Sequence, residues 1–351
     1  MQAFTYTANP ARIIVGPGSL ARVADEIRQL GCSRALVLST PFQREQAEQL
    51  NRALGELGAG VFSKAAMHTP VEVTQQAMVI FTEVGADCVV ALGGGSTIGL
   101  GKAIAYRNDT PQIVVATTYA GSEVTPILGQ TEKGMKTTLK DASILPEVVI
   151  YDAELTLGLP VAMSVTSGLN AIAHAVEGLY AKERNPITAL MALEGIRGLK
   201  DALPALVERP DNVEARNNAL YGAWLCGTVL GTVGMALHHK LCHMLGGSFG
   251  LPHAETHAIM LPHTAAYNAL AAADVLAPAA ALFNGELGGG LYDFAKSLGA
   301  PVALKELGLV EADLDRAADL AVQNPYWNPQ PVERDAIRAL LQRAWGGLRP
   351  E

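Results

Sequence analysis

Short apolar runs alternate with amphipathic stretches along the first third of the chain. The runs ALVLS at 35–39 and CVVAL at 88–92 have the length of strands, and polar segments of helical periodicity lie between such runs. Strands that are apolar throughout are typical of a mostly parallel sheet covered on both faces by helices, so the pattern predicts an α/β fold. The predicted strands are 12–15, 35–39, 60–64, 88–92 and 113–116, and the predicted helices are 20–30, 43–57, 71–84 and 97–106.

The alternation stops near residue 152. From Pro160 onward only helical periodicity remains, with long helices predicted over 161–182, 187–207 and 213–237. A chain of 351 residues is long enough for two ordinary domains. We therefore predict an α/β domain over 1–155 and an all-helical domain over 156–351.

Composition and charge exclude several classes of partner. Hydrophobic residues make up 49% and charged residues 17%, which is typical of a globular protein. The net charge of −8 and the absence of a basic stripe argue against a nucleic acid. The four cysteines form no C-x-x-C pair, and the N-terminus lacks the layout of a secretory signal, so we expect a reducing cytoplasm.

One stretch raises the question of a membrane. Residues 220–237 carry no charge over about the length of a bilayer span, and they contain a G-x-x-x-G at Gly227 and Gly231. Because the stretch leads directly into a histidine-rich segment and is the only such run in the sequence, we predict a buried core helix and no membrane partner.

A glycine-rich turn follows the predicted strand at 88–92. Residues 93–96 read GGGS and lead into a helix. Glycines let an anion approach backbone N–H groups at a helix N-terminus. The motif is neither a G-x-G-x-x-G fingerprint nor a P-loop, so a tight turn without a ligand stays open. We interpret it as a phosphate-binding loop, with Gly94, Gly95 and Ser96 as candidate contacts.

Hydroxyl side chains follow other predicted strands. Thr117 and Thr118 come directly after the strand at 113–116, and Ser122 follows closely. Thr40 comes directly after the strand at 35–39. Ligands bind beyond the carboxyl ends of parallel strands, and two such loops fit a dinucleotide better than a lone phosphate. NAD-selective enzymes usually place an acid where Thr40 stands, so we expect both NADH and NADPH to be used. The simpler interpretation is that Thr40 caps the next helix, and the two interpretations are compatible.

Histidines are concentrated in one segment. Six of the eight lie between residues 238 and 263, namely His238, His239, His243, His253, His257 and His263. A seventh, His174, stands four residues after Asn170, so the two share a helix face, and His239 and His243 have the same spacing. A single histidine on an apolar face is usually a core residue. Six in 26 positions indicate a site, and we expect seven histidines around it.

The GGGS turn, the segment TTYAGSE at 117–123 and the pattern His-x-x-x-His…Pro-His resemble the iron-containing alcohol dehydrogenase family. The resemblance covers essentially the whole chain. It implies the fold that this family shares with dehydroquinate synthase, with a dinucleotide-binding domain over 1–155 and a helical substrate domain over 156–351. It also implies a divalent metal held by one Asp and three His, positions occupied here by Asn170, His174, His243 and His253.

Two departures from the family pattern concern that metal. Asn170 and Gly99 each stand where the family carries an Asp. A neutral amide is a poor replacement for a carboxylate, because it removes the charge that offsets the desolvation of the cation. We therefore expect no bound metal and regard the four positions as vestigial, although three histidines alone can hold zinc.

Four segments resemble one branch of the family, whose enzymes reduce a carbon–carbon double bond of an unsaturated oxo-dicarboxylate. They are 93–105, 167–181, 238–263 and 324–332. Because that double bond is conjugated, hydride addition gives a delocalised enolate, which hydrogen-bond donors can stabilise and an acid can protonate. We predict His243 and His253 as donors or acids, with His174 and Tyr326 as further catalytic candidates. Lys240 would supply charge for the dicarboxylate, or would be a solvated lysine at a helix end.

Two other functions stay open. One is a metal-dependent alcohol dehydrogenase of the same family that keeps its ion through three histidines. The other is a non-catalytic dinucleotide-binding protein, which should have lost the remaining polar residues of the site. For the enzyme we expect a small dicarboxylate substrate and a homodimer, the default for such proteins.

Overall fold

The apolar runs of the first half of the chain form strands in this computed structural model, which describes residues 4–9 and 11–351. The strands are β1 (Arg12–Val15), β2 (Ala35–Leu38), β3 (Gly58–Phe62), β4 (Cys88–Gly93), β5 (Gln112–Ala116), β6 (Ile127–Glu132), β7 (Met135–Lys140) and β8 (Val148–Tyr151). A parallel sheet has the order β1-β8-β5-β4-β2-β3, and β6 and β7 form an antiparallel hairpin.

Helices cover both faces of the sheet. They are α1 (Val23–Gln29), α2 (Arg44–Leu54), α3 (Val71–Glu83) and α4 (Gly95–Asn108). Alternate residues of β2 show the two faces, because Ala35 and Val37 pack with α1 and α2, whereas Leu36 and Leu38 pack with α3 and α4. The central strands β2 and β4 therefore carry no polar side chain, and the predicted fold class is confirmed. Neither β8 nor the β6–β7 hairpin was predicted.

The second half of the chain is helical. Its helices are α5 (Val161–Tyr180), α6 (Pro186–Glu208), α7 (Val213–Thr232), α8 (Leu237–Phe249), α9 (His253–Ala269), α10 (Ala273–Leu282), α11 (Leu287–Ser297), α12 (Leu314–Ala321) and α13 (Arg334–Gly346). α8, α9, α12 and α13 share one apolar core. The predicted helix over 213–237 ends earlier, at Thr232, and residues 233–236 separate it from α8. The Glu177 carboxylate accepts the backbone N–H groups of Ala236 and His238 at the start of α8.

Two compact units are present, and their bounds differ from a single boundary at residue 155. One contains residues 8–159 and 211–231, and the other contains 4–7, 160–210 and 232–351. α7 thus belongs with the α/β unit. Its glycines Gly227 and Gly231 let the helix backbone lie against the backbone of the loop that follows β5. A Cβ on Gly227 would lie 2.6 Å from Gly121 Cα, and one on Gly231 would lie 2.8 Å from the Val124 carbonyl oxygen.

The G-x-x-x-G of the uncharged stretch is therefore used for packing against the loop that follows β5. Among the described residues no single helix is long and apolar enough to cross a membrane. Only α7 and α8 taken together, across the break between them, reach that length and hydropathy.

Candidate functional site

The predicted cofactor loops lie at one edge of the sheet. β4 pairs with β2 on one side and with β5 on the other, all in parallel. After β2 the chain adds β3 at the outer edge of the sheet. After β4 it adds β5 on the opposite side, so the direction of strand addition reverses between β2 and β4. Ligands of open α/β sheets bind at such a reversal, outside the carboxyl ends of the strands.

The glycine-rich turn divides into structural and accessible positions. Gly93 has φ +154°, and a Cβ there would lie 2.5 Å from Thr97 Oγ1, so this position requires glycine. A Cβ on Gly94 would meet the Thr118 side chain, whereas one on Gly95 would meet nothing within 4 Å. Gly95 and Ser96 begin the 14-residue α4, where backbone N–H groups have no intrahelical acceptor. The geometry fits an anion at Gly95 and Ser96.

Gln43 connects the ends of β2 and β5, a role that no sequence pattern predicted. Its Nε2 donates to Thr117 Oγ1 at 3.1 Å, and its Oε1 accepts from Thr40 Oγ1 at 3.4 Å. The Thr40 hydroxyl has no backbone partner in the helical turn that follows it. The interpretation of Thr40 as a side-chain cap is therefore wrong. Thr117 is buried, whereas Thr40 and Thr118 are partly exposed.

Lys102 holds the loop that contains Ser122. Its fully buried ammonium donates to the Ser122 carbonyl oxygen, to Thr125 Oγ1 and to the Ile127 carbonyl oxygen at 2.5, 2.9 and 2.9 Å. Burial lowers the pKa of Lys102 to about 7, against the opposing effect of the Glu123 charge. Ser122 is thus fixed through its backbone, and its hydroxyl lies 3.4 Å from the same ammonium.

In the helical unit, α5 presents three polar side chains at positions i, i+4 and i+7. Asn170, His174 and Glu177 therefore lie on one face of this helix. Asn170 Nδ2 lies 3.4 Å from His174 Nε2, and His174 Nδ1 lies 2.9 Å from His239 Nε2. His239 Nδ1 is 2.6 Å from Glu177 Oε2, and both side chains are buried. The four residues form a continuous hydrogen-bonded chain.

A second buried group adjoins this chain. His238 Nε2 lies 2.9 Å from His257 Nδ1 and 3.7 Å from Cys242 Sγ, and His238 Nδ1 lies 3.0 Å from Thr264 Oγ1. Burial, followed by the charges of neighbouring histidines, lowers the pKa of His238 and of His257 well below the usual range. Both imidazoles are neutral at physiological pH.

The two histidines predicted as donors form the exposed part of the cluster. The His243 ring centre is 5.9 Å from that of His239, and the His253 ring centre is 4.3 Å from that of His257. His243 and His253 are exposed, whereas the partners of both are buried. A ligand can therefore reach these two rings.

Lys240 holds the segment that carries Tyr326. Its Nζ donates to the Gln323 carbonyl oxygen at 2.8 Å and lies 5.9 Å from the centre of the Tyr326 ring. Lys240 stands in the first turn of α8, at a helix end, and it is half-buried. Burial, and then the Glu177 charge, raise the pKa of Tyr326, so its hydroxyl remains a donor.

His263 does not join the cluster. It is buried, and burial with the nearby charge of Arg343 lowers its pKa to about 4. The ring contacts among the described histidines connect the other six and do not include His263. The expected count of seven histidines around one site is therefore too high by one.

Two residues at the family's metal positions contact each other, because Asn170 lies against His174, and the Asn170 Oδ1 is buried without a hydrogen-bond partner among the described residues. The His174 Nε2 is the ring nitrogen that would face a cation, and the amide nitrogen of Asn170 lies 3.4 Å from it. The residue that lies against His174 is His239 rather than the expected His243. Among the described residues, two other groups have three potential ligand atoms within 4.8 Å of one another, namely His238, Cys242 and His257, and Cys32, Asp87 and Cys88. In the second group the Asp87 carboxylate already accepts from Ser33 and Arg34.

Sequence reasoning missed Glu177 and the central role of His239. Glu177 was available as a signal, because it stands seven residues after Asn170 and three after His174 on an apolar helix. An acid at that spacing lies on the same face. Its partner could not be identified, because the contact with His239 spans 62 residues of sequence.

Comparisons with known proteins agree along the whole chain. A family model described as "Iron-containing alcohol dehydrogenase" matches residues 10–153, and one described as "Fe-containing alcohol dehydrogenase family, C-terminal" matches residues 164–345. The chain is 67% identical to maleylacetate reductase of Rhizobium sp. (strain MTP-10005) and 53% identical to that of Burkholderia cepacia, each over 351 residues and 100% of both chains. The crystal structure of maleylacetate reductase from Agrobacterium tumefaciens is 66% identical, with a TM-score of 0.98 over 100% of each chain. The chain is therefore an oxidoreductase of the iron-containing alcohol dehydrogenase family.

Proposed function

We propose that this enzyme reduces the carbon–carbon double bond of maleylacetate, and of substituted maleylacetates, to give 3-oxoadipate or its substituted forms during the breakdown of aromatic compounds. The observation that carries the proposal is the 67% identity, over the full length, to a protein named maleylacetate reductase. The site chemistry supports it, because the exposed part of the histidine cluster offers donors for a dicarboxylate and for an enolate.

The cofactor is NADH or NADPH, which supplies a hydride when bound. Gly95 and Ser96 offer backbone N–H groups to the pyrophosphate, and Gly94 permits the close contact with Thr118 that shapes the loop. Gln43 holds Thr117 and Lys102 holds Ser122, so these two residues keep the loop after β5 in place for the cofactor. Thr40 offers no charge to repel a 2′-phosphate, which supports the use of both cofactors.

His243 and His253 hold the substrate and stabilise the enolate. Hydride addition to the conjugated double bond places negative charge on the carbonyl oxygen and the neighbouring carbon, and these two exposed imidazoles can donate to that charge. An imidazole titrates close to neutral pH, so it can also deliver the proton to carbon. Tyr326 is a further donor, and Lys240 positions it. His174 is buried, and its role is to hold Asn170 and His239 through hydrogen bonds.

The reaction requires no metal, because the developing charge spreads over an enolate and is met by hydrogen-bond donors. A metal-dependent alcohol dehydrogenase would instead need a Lewis acid to stabilise a localised alkoxide. We further propose a cytoplasmic homodimer with no nucleic-acid or membrane partner. Light scattering of the purified protein tests the dimer.

A spectrophotometric assay tests the function. Purified enzyme is mixed with NADH or with NADPH, and oxidation is followed with maleylacetate and, separately, with simple aldehydes. The proposal expects oxidation of both cofactors with maleylacetate and little with aldehydes. Aldehyde reduction that depends on bound iron or zinc would instead support the alcohol dehydrogenase. No turnover with any substrate, despite nucleotide binding, would support a non-catalytic protein.

A further inference from the structure

The side chain of Gln43 crosses the carboxyl edge of the sheet where the direction of strand addition reverses. Its amide lies 3.4 Å from the Thr40 hydroxyl, directly after β2, and 3.1 Å from the Thr117 hydroxyl, directly after β5. β4 lies between these two strands and pairs with both of them. One side chain therefore joins the ends of two strands that are not neighbours in the sheet.

Gly93, the last residue of β4, leaves the space in which this side chain lies. A Cβ at position 93 would lie 2.9 Å from Gln43 Oε1, closer than such atoms normally approach. A side chain at 93 would therefore displace the Gln43 amide. The Gly93 carbonyl oxygen also accepts the Thr117 backbone N–H at 3.1 Å. The glycine thus serves the crossing side chain as well as the turn that follows β4.

The backbone of Gln43 is fixed as well as its side chain. Its N–H donates to the Thr40 carbonyl oxygen at 3.1 Å and closes the turn between β2 and α2. The side chain is half-buried, whereas its neighbours Phe42 and Arg44 are exposed. Both side-chain contacts are compatible with either orientation of the amide, because a threonine hydroxyl can donate and accept. The crossing therefore does not depend on which amide atom is the oxygen.

The two threonines belong to opposite sides of the crevice in which a dinucleotide binds. The end of β2, at Thr40, is where NAD-selective enzymes place the acid that binds the adenosine ribose. Thr117 begins the loop after β5, in which Thr118 and Ser122 are partly exposed. A dinucleotide lies across such a crevice and contacts both sides. Gln43 is a direct connection between the side of the adenosine ribose and the loop opposite to it.

We propose that Gln43 is a positioning residue that couples the two halves of the nicotinamide dinucleotide site. It holds Thr40 and Thr117 at a fixed separation, so that a cofactor seated at the end of β2 also fits the loop after β5. Gln43 acts through the two threonines and is not itself a catalytic residue. The proposal rests on the NADH or NADPH of the proposed function, and it does not depend on which substrate is reduced.

Titration with whole and divided cofactor tests the coupling without turnover. Gln43→Met keeps the length of the side chain and removes both hydrogen bonds. It should raise the Kd for NADH and for NADPH by about 5–100-fold, the effect of two lost hydrogen bonds. AMP reaches only the adenosine side, so its Kd should rise less than about threefold, because a coupling acts on ligands that engage both sites. An equal rise for AMP and NADH, or no rise for NADH, would overturn the proposal.

Gln46→Met is the matched control for this titration. Gln46 is exposed in the first turn of α2, so the same substitution there should change each Kd less than about twofold. The kcat of Gln43→Met at saturating NADH should stay within about twofold of that of the unmodified enzyme, because positioning of the cofactor affects its binding. A fall in kcat with an unchanged Kd for NADH would contradict the positioning role.

A double-mutant cycle tests whether the coupling passes through Gln43. Thr40→Val and Thr117→Val each replace a hydroxyl by a methyl group of similar size. Their effects on the binding free energy of NADH should be non-additive in the unmodified background, because either substitution breaks the same connection. In the Gln43→Met background the two effects should add. Additive effects in the unmodified background would contradict the proposal even if Gln43→Met did not fold.

Discussion

A Cβ on Gly94 would lie 2.7 Å from Thr118 Cγ2, so the turns after β4 and β5 are in direct contact. The contact leaves Gly95 as the turn glycine with open space beyond it. This arrangement separates the glycine that shapes the loop from the glycine that faces a ligand. Because the space beyond Gly95 is open, a charged side chain can be introduced at this position without a steric conflict inside the protein.

Gly95→Asp should abolish nucleotide binding while leaving the fold intact. The carboxylate would stand against the pyrophosphate at the N-terminus of α4, where an anion is otherwise stabilised. Titration of NADH and NADPH by fluorescence measures the effect, with Gly95→Asn as a control of nearly equal size and no charge. If the Asp variant bound NADH as tightly as the Asn variant, the phosphate loop would be assigned wrongly.

Thr40→Asp should suppress the use of NADPH and spare that of NADH. A carboxylate at the end of β2 repels a 2′-phosphate and can accept from a ribose 2′-hydroxyl. The kcat/KM for each cofactor is compared with that of Thr40→Asn, which has the shape without the charge. Strong rejection of NADPH by the unmodified enzyme would count against the argument.

Most strands and helices of the α/β unit were predictable because their signal is local. A buried strand such as β4 is apolar at every position, and α2 shows a helical period with Leu50 and Leu54 buried. The β6–β7 hairpin was missed because its strands are mixed in polarity, with Gly129, Gln130 and Thr131 following two apolar residues in β6.

The candidate site was predictable as a set of residue types but not as a set of contacts. Histidine density located the cluster, and the four-residue spacing placed His174 beside Asn170. The contact of His174 with His239 joins α5 to α8 across 65 residues, and no periodicity encodes it. His263 was wrongly counted among the histidines of the site for the same reason. It is close to His253 and His257 in the sequence of α9, but its ring does not contact the rings of the cluster.

Gly227→Ala should destabilise the α/β unit. The new methyl group would lie 2.5 Å from the Gly121 carbonyl oxygen, a backbone atom that cannot rotate away. Such overpacking costs about 1–3 kcal/mol. Thermal or urea unfolding measures the loss, with Gly247→Ala in α8 as the control, because a Cβ there meets nothing within 4 Å. We expect the control to be neutral or stabilising by up to about 1 kcal/mol. Equal stabilities would contradict the close packing of α7.

His263 should make folding sensitive to acid. Its pKa is about 4 in the folded protein and close to 6.5 in the unfolded chain. Between these values the unfolded state binds the extra proton, so stability is complete above pH 6.5 and falls as the pH is lowered towards 4. One such group contributes a slope of up to about 1.4 kcal/mol per pH unit.

Urea unfolding between pH 4.5 and 6 compares the unmodified protein with His263→Gln, which should have the shallower slope. Identical slopes in the two proteins would show that His263 is not held neutral.

The central claim is that reduction depends on side-chain donors and not on a bound metal. His243→Ala and His253→Ala should each lower turnover by about 10²–10⁴-fold, the usual range for an acid–base group. Nucleotide affinity should be nearly unchanged, because neither side chain lies in the α/β unit.

The most direct measurement is the rate of maleylacetate reduction after exhaustive chelation, with the metal content quantified on the same sample. Full activity in a sample with far less than one metal ion per chain is the predicted result. Activity that disappears with the metal and returns on adding Fe²⁺ or Zn²⁺ would contradict the account and restore the metal-dependent dehydrogenase.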